Sequence, residues 1–325
     1  MKTRATIDPE LLPLIEQMPV FDFAADLPGC RKMIDEFMLS ARADFADPNV
    51  AVEERRVPGP AGSPEVPVLV YRPRGVKRPL PALLDIHGGG YISGLAVADE
   101  PANIRTVKEL GCIVVAADYR LAPEAPAPAA VEDCYAAFAW MHRESDALGI
   151  DRSRVAIGGA SAGGGLAAAL CLLVRDRAEY SVCFQLLIYP MLDDRTSSTR
   201  DAGRFAGELG WTAAQNRFAW TAYLGREPGG DGVSAYAAPA RAADLAGLPP
   251  TYISCGALDL FADENMQYAR RLVAAGVPTE LHIYPGAFHG YEFAPQAQVS
   301  IASERERRVA LARAFGISLG AEANA

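Results

Sequence analysis

Short, continuous apolar runs alternate along most of the chain with longer stretches in which apolar residues recur every three or four positions. The runs 82–86, 112–117, 155–157, 184–189, 251–255 and 280–284 read as strands, and 66–71 as a further extended segment. Cys112-Ile113-Val114-Val115-Ala116-Ala117 has no polar alternation, as expected of a parallel strand buried on both faces. Stretches 102–110, 131–143, 164–173, 265–274 and 303–315 have helical periodicity, and Gly111 and Gly276 stop two of them. Strand and helix in alternation predict an α/β fold, a mostly parallel sheet with helices on both faces. Pro67 predicts that the 66–71 strand is an edge or starts late.

Two segments break the rhythm. Residues 1–45 carry amphipathic helical stripes, Leu11, Leu12, Ile15 and Met18, then Met33, Ile34, Phe37 and Met38, divided by Pro19 and Pro28. Residues 193–233 begin polar, continue through Trp211, Phe218, Trp220 and Tyr223, and close at Pro228-Gly229-Gly230-Asp231-Gly232. Together they are expected to form a helical cap, with the core in 46–192 and 234–325 and the second segment as an insertion.

Composition narrows the class. Against 31 Lys and Arg stand 40 Asp and Glu, a net charge of −9, so a nucleic-acid surface is not expected. No apolar run of 18 residues predicts a membrane span, and the first ten residues have no signal-peptide h-region. The six cysteines, at 30, 112, 134, 171, 183 and 255, show no C-x-x-C pairing. Four of them lie in apolar runs and are expected to be buried thiols in a reducing compartment, which makes the cytoplasm the expected location.

The chemistry starts at Gly159-Ala160-Ser161-Ala162-Gly163, a G-x-S-x-G between an apolar strand and a helix. A sharp strand-to-helix turn lifts the serine hydroxyl clear of the sheet. A Gly-rich phosphate loop is the competing reading, and the missing G-K-[ST] argues against it. A serine nucleophile needs a base, and the chain has four histidines. His289 lies in a loop after the last strand, His282 lies within that strand, and His142 ends a helix and is expected to face solvent. His87 opens His87-Gly88-Gly89-Gly90 and is expected to be a structural loop residue. Asp259 follows the 251–255 strand and would orient His289. Its neighbours Asp263 and Glu264 are better placed to start the next helix. The amides of Gly89, Gly90 and Ala162 are the expected oxyanion donors. No metal-ligand spacing appears, and no cofactor is expected.

With His87–Gly90, Asp118-Tyr119-Arg120-Leu121-Ala122-Pro123-Glu124, Gly159–Gly164, Asp259–Glu264 and His289-Gly290, the chain resembles the hormone-sensitive-lipase-like family of bacterial esterases. Asp8-Pro9-Glu10 and Gly247-Leu248-Pro249-Pro250-Thr251 are similar to its heroin-esterase-like branch. The resemblance implies an eight-stranded α/β-hydrolase core with an N-terminal helical cap. It implies cofactor-free hydrolysis of short-chain esters and a homodimer joined through C-terminal edge strands. Two positions depart from the family pattern: Ala160 stands where Asp or Thr is common, and Leu260 where Pro is usual. Amide or carbamate hydrolysis by the same residues, and a non-catalytic small-molecule-binding module, are the rival readings.

Overall fold

A computed structural model of the chain describes residues 4–41 and 46–319. The boundary expected at residue 45 lies outside them. In chain order the elements begin with α1 (Leu12–Gln17), α2 (Leu27–Ala41), β1 (Val50–Val57), β2 (Val66–Pro73) and β3 (Leu80–Ile86). They continue with α3 (Glu100–Leu110), β4 (Ile113–Ala117), α4 (Ala129–Arg143), α5 (Ser145–Leu148) and β5 (Ile150–Ala160). Then follow α6 (Ala162–Arg177), β6 (Phe184–Ile188), α7 (Ala213–Leu224), β7 (Thr251–Gly256), α8 (Ala262–Ala274), β8 (Thr279–Tyr284) and α9 (Gln298–Ala314).

The strands form one eight-stranded sheet in the order β1-β2-β4-β3-β5-β6-β7-β8. Only the pairings of β2, with β1 and with β4, are antiparallel. Every residue of β3, β4, β6 and β7 is buried. Their continuous apolar runs therefore reflect a sheet covered on both faces. One apolar layer joins Leu84, Ile86 and Val115 to residues of α4, α6 and α8. The other joins Leu83, Val114 and Ala116 to residues of α3 and α9. The order reverses at β3, which lies between β4 and β5, and such a switch point opens a crevice at the strand C-termini. Parallel register sets Ile86 of β3 beside Gly159 of β5, so the residues that follow each strand emerge side by side.

Pro67 is not on an edge and does not delay the strand. β2 is an interior strand and begins at Val66. The carbonyl of Pro67 accepts from the Asp118 N–H at 3.0 Å, just past the end of β4, where the strand needs no donor at position 67.

The segment before β1 docks in two places. Ile7 and Leu11 pack in the layer that holds α9, and the Asp8 N–H reaches the Gly286 carbonyl at 3.1 Å. Phe23 and Cys30 pack in the layer that holds Trp211 and Trp220 of residues 193–233. The Gln215 amide donates to the Phe21 carbonyl at 3.0 Å, and the rings of Phe23 and Trp211 are 6.0 Å apart.

His142 is buried, contrary to the solvent-facing position expected of it. Its ring lies on Tyr180 at 4.9 Å and against Phe138 at 4.7 Å, and Nε2 has no hydrogen-bond partner. Tyr180, which follows α6, covers the end of α4 and takes His142 out of solvent. Burial, with Arg152 nearby, pushes its pKa down to about 4. The unfolded chain therefore binds a proton that the fold rejects, so stability falls as pH drops through about 6.5 to 4. The expected loss between pH 7 and pH 4.5 is about 2 kcal/mol. Urea unfolding midpoints should show this loss in the native chain and not in His142→Phe.

Candidate active site

The turn from β5 into α6 places Ser161 at φ 56° and ψ −120°, a strained backbone for a residue with a Cβ. Main-chain bonds hold it there. The Ser161 N–H donates to the Ile188 carbonyl at 2.9 Å, and the Ser161 carbonyl accepts from Met191 at 2.9 Å and Gly165 at 3.0 Å. The flanking glycines are sterically required. A Cβ on Gly163 would lie 1.9 Å from the Ile86 carbonyl oxygen, and one on Gly159 would lie 2.5 Å from the same atom. Ala160 ends β5 opposite Ile188 and is half-buried in the apolar layer. Its methyl adds no hydrogen bond, so the elbow relies on the main chain alone.

The structure brings together the three residues that the sequence places far apart. His289 Nε2 lies 2.9 Å from Ser161 Oγ, and His289 Nδ1 lies 2.8 Å from Asp259 Oδ2. With Nδ1–H directed at the carboxylate, Nε2 is the acceptor that faces the serine hydroxyl. Asp259 is fully buried, and its second oxygen accepts from the Phe261 N–H at 2.9 Å, which fixes the carboxylate plane. The rings of Tyr189, Phe261 and Trp211 surround the imidazole at 4.4, 5.3 and 6.5 Å. Asp263 and Glu264 lie in the first turn of α8, as expected. Asp263 is exposed, while Glu264 is buried and accepts from the Leu192 N–H at 2.6 Å. Leu260 is buried against Gly207, where a Cβ would meet its side chain at 2.5 Å, so the departure from Pro supplies a contact to the insertion.

Residues 87–94 pass directly over the elbow. A Cβ on Gly88 would lie 3.1 Å from the Ala160 carbonyl and 3.4 Å from the Ser161 Cβ. Gly89 and Gly90 have φ of 112° and 61°, and their N–H groups donate to no acceptor among the described residues. Ala162 is the first residue of α6, where helix geometry leaves an N–H unspent. Trp211 closes the crevice from above: a Cβ on Gly90 would lie 2.4 Å from its ring. The indole N–H donates to Asn216 at 3.1 Å, and Asn216 donates to the Thr196 carbonyl at 2.9 Å.

His87 is a buried loop residue, as expected, stacked on Tyr119 at 4.2 Å and 10°. Burial pushes its pKa down. The motif Asp118–Glu124 turns out to be the scaffold of this loop. Asp118 accepts from the Ala96 N–H at 3.0 Å, the Tyr119 hydroxyl donates to the His87 carbonyl at 3.0 Å, and Arg120 forks Asp133 at 2.7 and 2.8 Å. Arg31 of α2, which the sequence did not single out, joins both parts. It donates to the Ile92 and Ala122 carbonyls at 2.6 Å each and to both Glu124 oxygens at 2.8 and 2.9 Å. Its signal in the sequence is a lone arginine on the apolar side of an amphipathic helix. Among the described residues no cluster of three or more His, Cys, Asp or Glu could hold a metal ion, and no helix is long and apolar enough to cross a membrane.

A family model described as the alpha/beta hydrolase fold matches residues 83–293. The chain belongs to the α/β-hydrolase fold family. Within that family it stands with the hormone-sensitive-lipase-like esterases, as its motifs suggest. It is similar to Carboxylic ester hydrolase LipN of Mycobacterium tuberculosis (strain ATCC 25618 / H37Rv), 40% identical over 75% of this chain and 65% of LipN. The chain thus spans just under two thirds of that relative. Carboxylesterase NlhH of the same strain is 37% identical over 89% of both chains. Among solved α/β hydrolases, Bacterial Heroin Esterase superposes with a TM-score of 0.92 at 42% identity, covering 96% of this chain and 99% of its own.

Removing the Arg31 latch should loosen the α2 contact and the 87–94 loop together. Arg31→Met is expected to lower unfolding free energy by about 1.5–3 kcal/mol, the range for hydrogen bonds to a charged group. It should also reduce kcat/KM on a chromogenic ester. Denaturant titration and steady-state kinetics check both effects.

Proposed function

We propose that the protein hydrolyses short- to medium-chain carboxylic esters through an acyl-enzyme on Ser161. The observation that carries this is the unbroken hydrogen-bonded line Ser161–His289–Asp259 beside the free amides of residues 89 and 90. The names of its relatives, carboxylic ester hydrolase, carboxylesterase and esterase, support the class, and the chain is an ester hydrolase.

His289 accepts the Ser161 proton as Oγ attacks the ester carbonyl, and Asp259 stabilises the imidazolium so formed. The amides of Gly89, Gly90 and Ala162 stabilise the oxyanion. Main-chain donors on glycines suit this task because the loop passes within contact distance of Ser161 with no side chain between. His289 next gives its proton to the departing alkoxide, leaving an acyl group on Ser161. In deacylation the same imidazole takes a proton from water, which attacks the acyl carbonyl, and returns it to Ser161 Oγ. The protein's own groups supply every step. Trp211, packed on Gly90 and the imidazole, supports the preference for short acyl chains by narrowing the crevice.

The six free cysteines, five of them buried, support a cytoplasmic location. The open edge of β8 is the surface through which two copies would pair, and light scattering on the purified chain tests this.

A p-nitrophenyl ester series from acetate to palmitate should peak between C2 and C8. A palmitate optimum would overturn the chain-length reading. Ser161→Ala should lose more than about 10⁴-fold in kcat, and Asp259→Asn a similar factor through the wrong histidine tautomer. Full turnover by Ser161→Ala would refute the acyl-enzyme. Because only neutral His289 serves as base, kcat/KM should fall with acidity along a limb of one proton.

A further inference from the structure

A second cleft, of about 380 Å³, lies between α8 and the residues that follow β6, and its lining includes none of Ser161, Asp259, His289, Trp211 or residues 87–94. We propose that this cleft binds a phosphate-type oxyanion. Arg195, Arg200, Arg241 and Arg271 line it together with Gln267 and Tyr268.

The buried carboxylates of Asp193 and Glu264 also line the cleft, and Asp193 and Asp194 hold three of the arginines. Arg195 forks Asp193 at 2.7 and 2.8 Å, Arg200 reaches the same carboxylate at 3.1 Å, and Arg241 forks Asp194 at 2.5 and 2.8 Å. Arg271 has no carboxylate partner. Its guanidinium donates to the carbonyls of Ala240, at 2.6 Å, and Ala242. The third acid, Glu264, accepts from the Leu192 and Asp193 N–H groups at 2.6 and 3.3 Å and from the Thr196 hydroxyl. With all three acids ionised, four guanidiniums still leave one positive charge in excess.

The donors are also incompletely used. Nη1 of Arg195, Nη2 of Arg200 and Nε of Arg271 have no acceptor among the described residues. The buried hydroxyl of Tyr268 has no hydrogen-bond partner. The unspent N–H groups of Arg195, Arg200 and Arg271 are charged donors suited to phosphate oxygens, and the bonds these arginines already make hold them in place, so they lose little freedom when an anion binds.

The test is a titration of the whole protein with potassium phosphate, against potassium chloride at equal ionic strength, following Tm and heats of binding. A saturable rise in Tm is expected with phosphate and not with chloride. Arg200→Gln, at a half-exposed position with one bond to Asp193 and a longer one, 3.4 Å, to Gln267, is expected to weaken phosphate binding at least about tenfold while ester hydrolysis is unchanged. Arg271→Gln should do the same. Should that variant fold poorly through loss of its two carbonyl contacts, Arg200→Gln decides alone. Tighter binding of glycerol 3-phosphate than of inorganic phosphate would identify an organic phosphate as the ligand, and equal binding would identify the free ion. A rise matched by chloride, or phosphate binding unaltered in Arg200→Gln, would overturn the site.

Discussion

The whole catalytic arrangement depends on how closely the β5–α6 turn presses against the end of β3. Two glycines, 159 and 163, face the Ile86 carbonyl at distances that admit no Cβ. That contact sets the Ser161 backbone in its strained conformation and brings residues 87–90 over the hydroxyl. Parallel register does the rest, since Ile86 and Gly159 are neighbours across the ladder. Ser161 and the free amides of residues 89 and 90 thus come from two strands that end at the same level. The strain at Ser161 is offset by main-chain bonds to Ile188, Met191 and Gly165, which is why a plain methyl at position 160 is tolerated.

Around this contact the cover is assembled from distant segments by polar links between apolar patches. Trp211 lies on the site because its indole nitrogen is bonded to Asn216, which is bonded in turn to Thr196. Thr196 is held by Glu264 at the start of α8. On the other side Arg31 fastens α2 to the loop after β3 and to the Ala122–Glu124 turn. Apart from the exposed Arg31–Glu124 pair, these links satisfy buried or part-buried groups that would otherwise be desolvated at a cost of about 1–3 kcal/mol apiece. The insertion and the N-terminal segment share one apolar layer, and these bonds fix how they sit on it.

Much of this was legible in the amino-acid sequence because its signals are local. An unbroken apolar run such as 112–117 can only be a buried strand, and a serine between glycines after such a run has few other uses. Asp259 and His289 were legible because each follows a strand, and strand ends meet at one edge of a parallel sheet. What was not legible depends on long-range partners. The burial of His142 requires Tyr180, which arrives from another turn. The interior placement of Pro67 requires that β4 end one residue short of it. Arg31 finds its acceptors 61 and 91 positions along the chain, beyond anything periodicity reports. The motif 118–124 was visible as a family signature, but its work as the scaffold of the 87–94 loop appears only in the bonds it makes.

The two buried carboxylates of residues 259–264 show how a short stretch serves two purposes without confusion. Asp259 leaves β7 at the level where His289 arrives from β8, and its second oxygen is taken by the Phe261 N–H, so it can face only the imidazole. Glu264, five residues on and in the first turn of α8, faces the opposite way, onto residues 192–196. Exchanging their roles would require α8 to start elsewhere, because a helix turn between them sets their directions. His289 is therefore held by the residue that is still in the loop. The residue already in the helix anchors the insertion whose tryptophan covers that base. Chemistry and cover are tied to one another through six residues of backbone, so the position of α8 determines both.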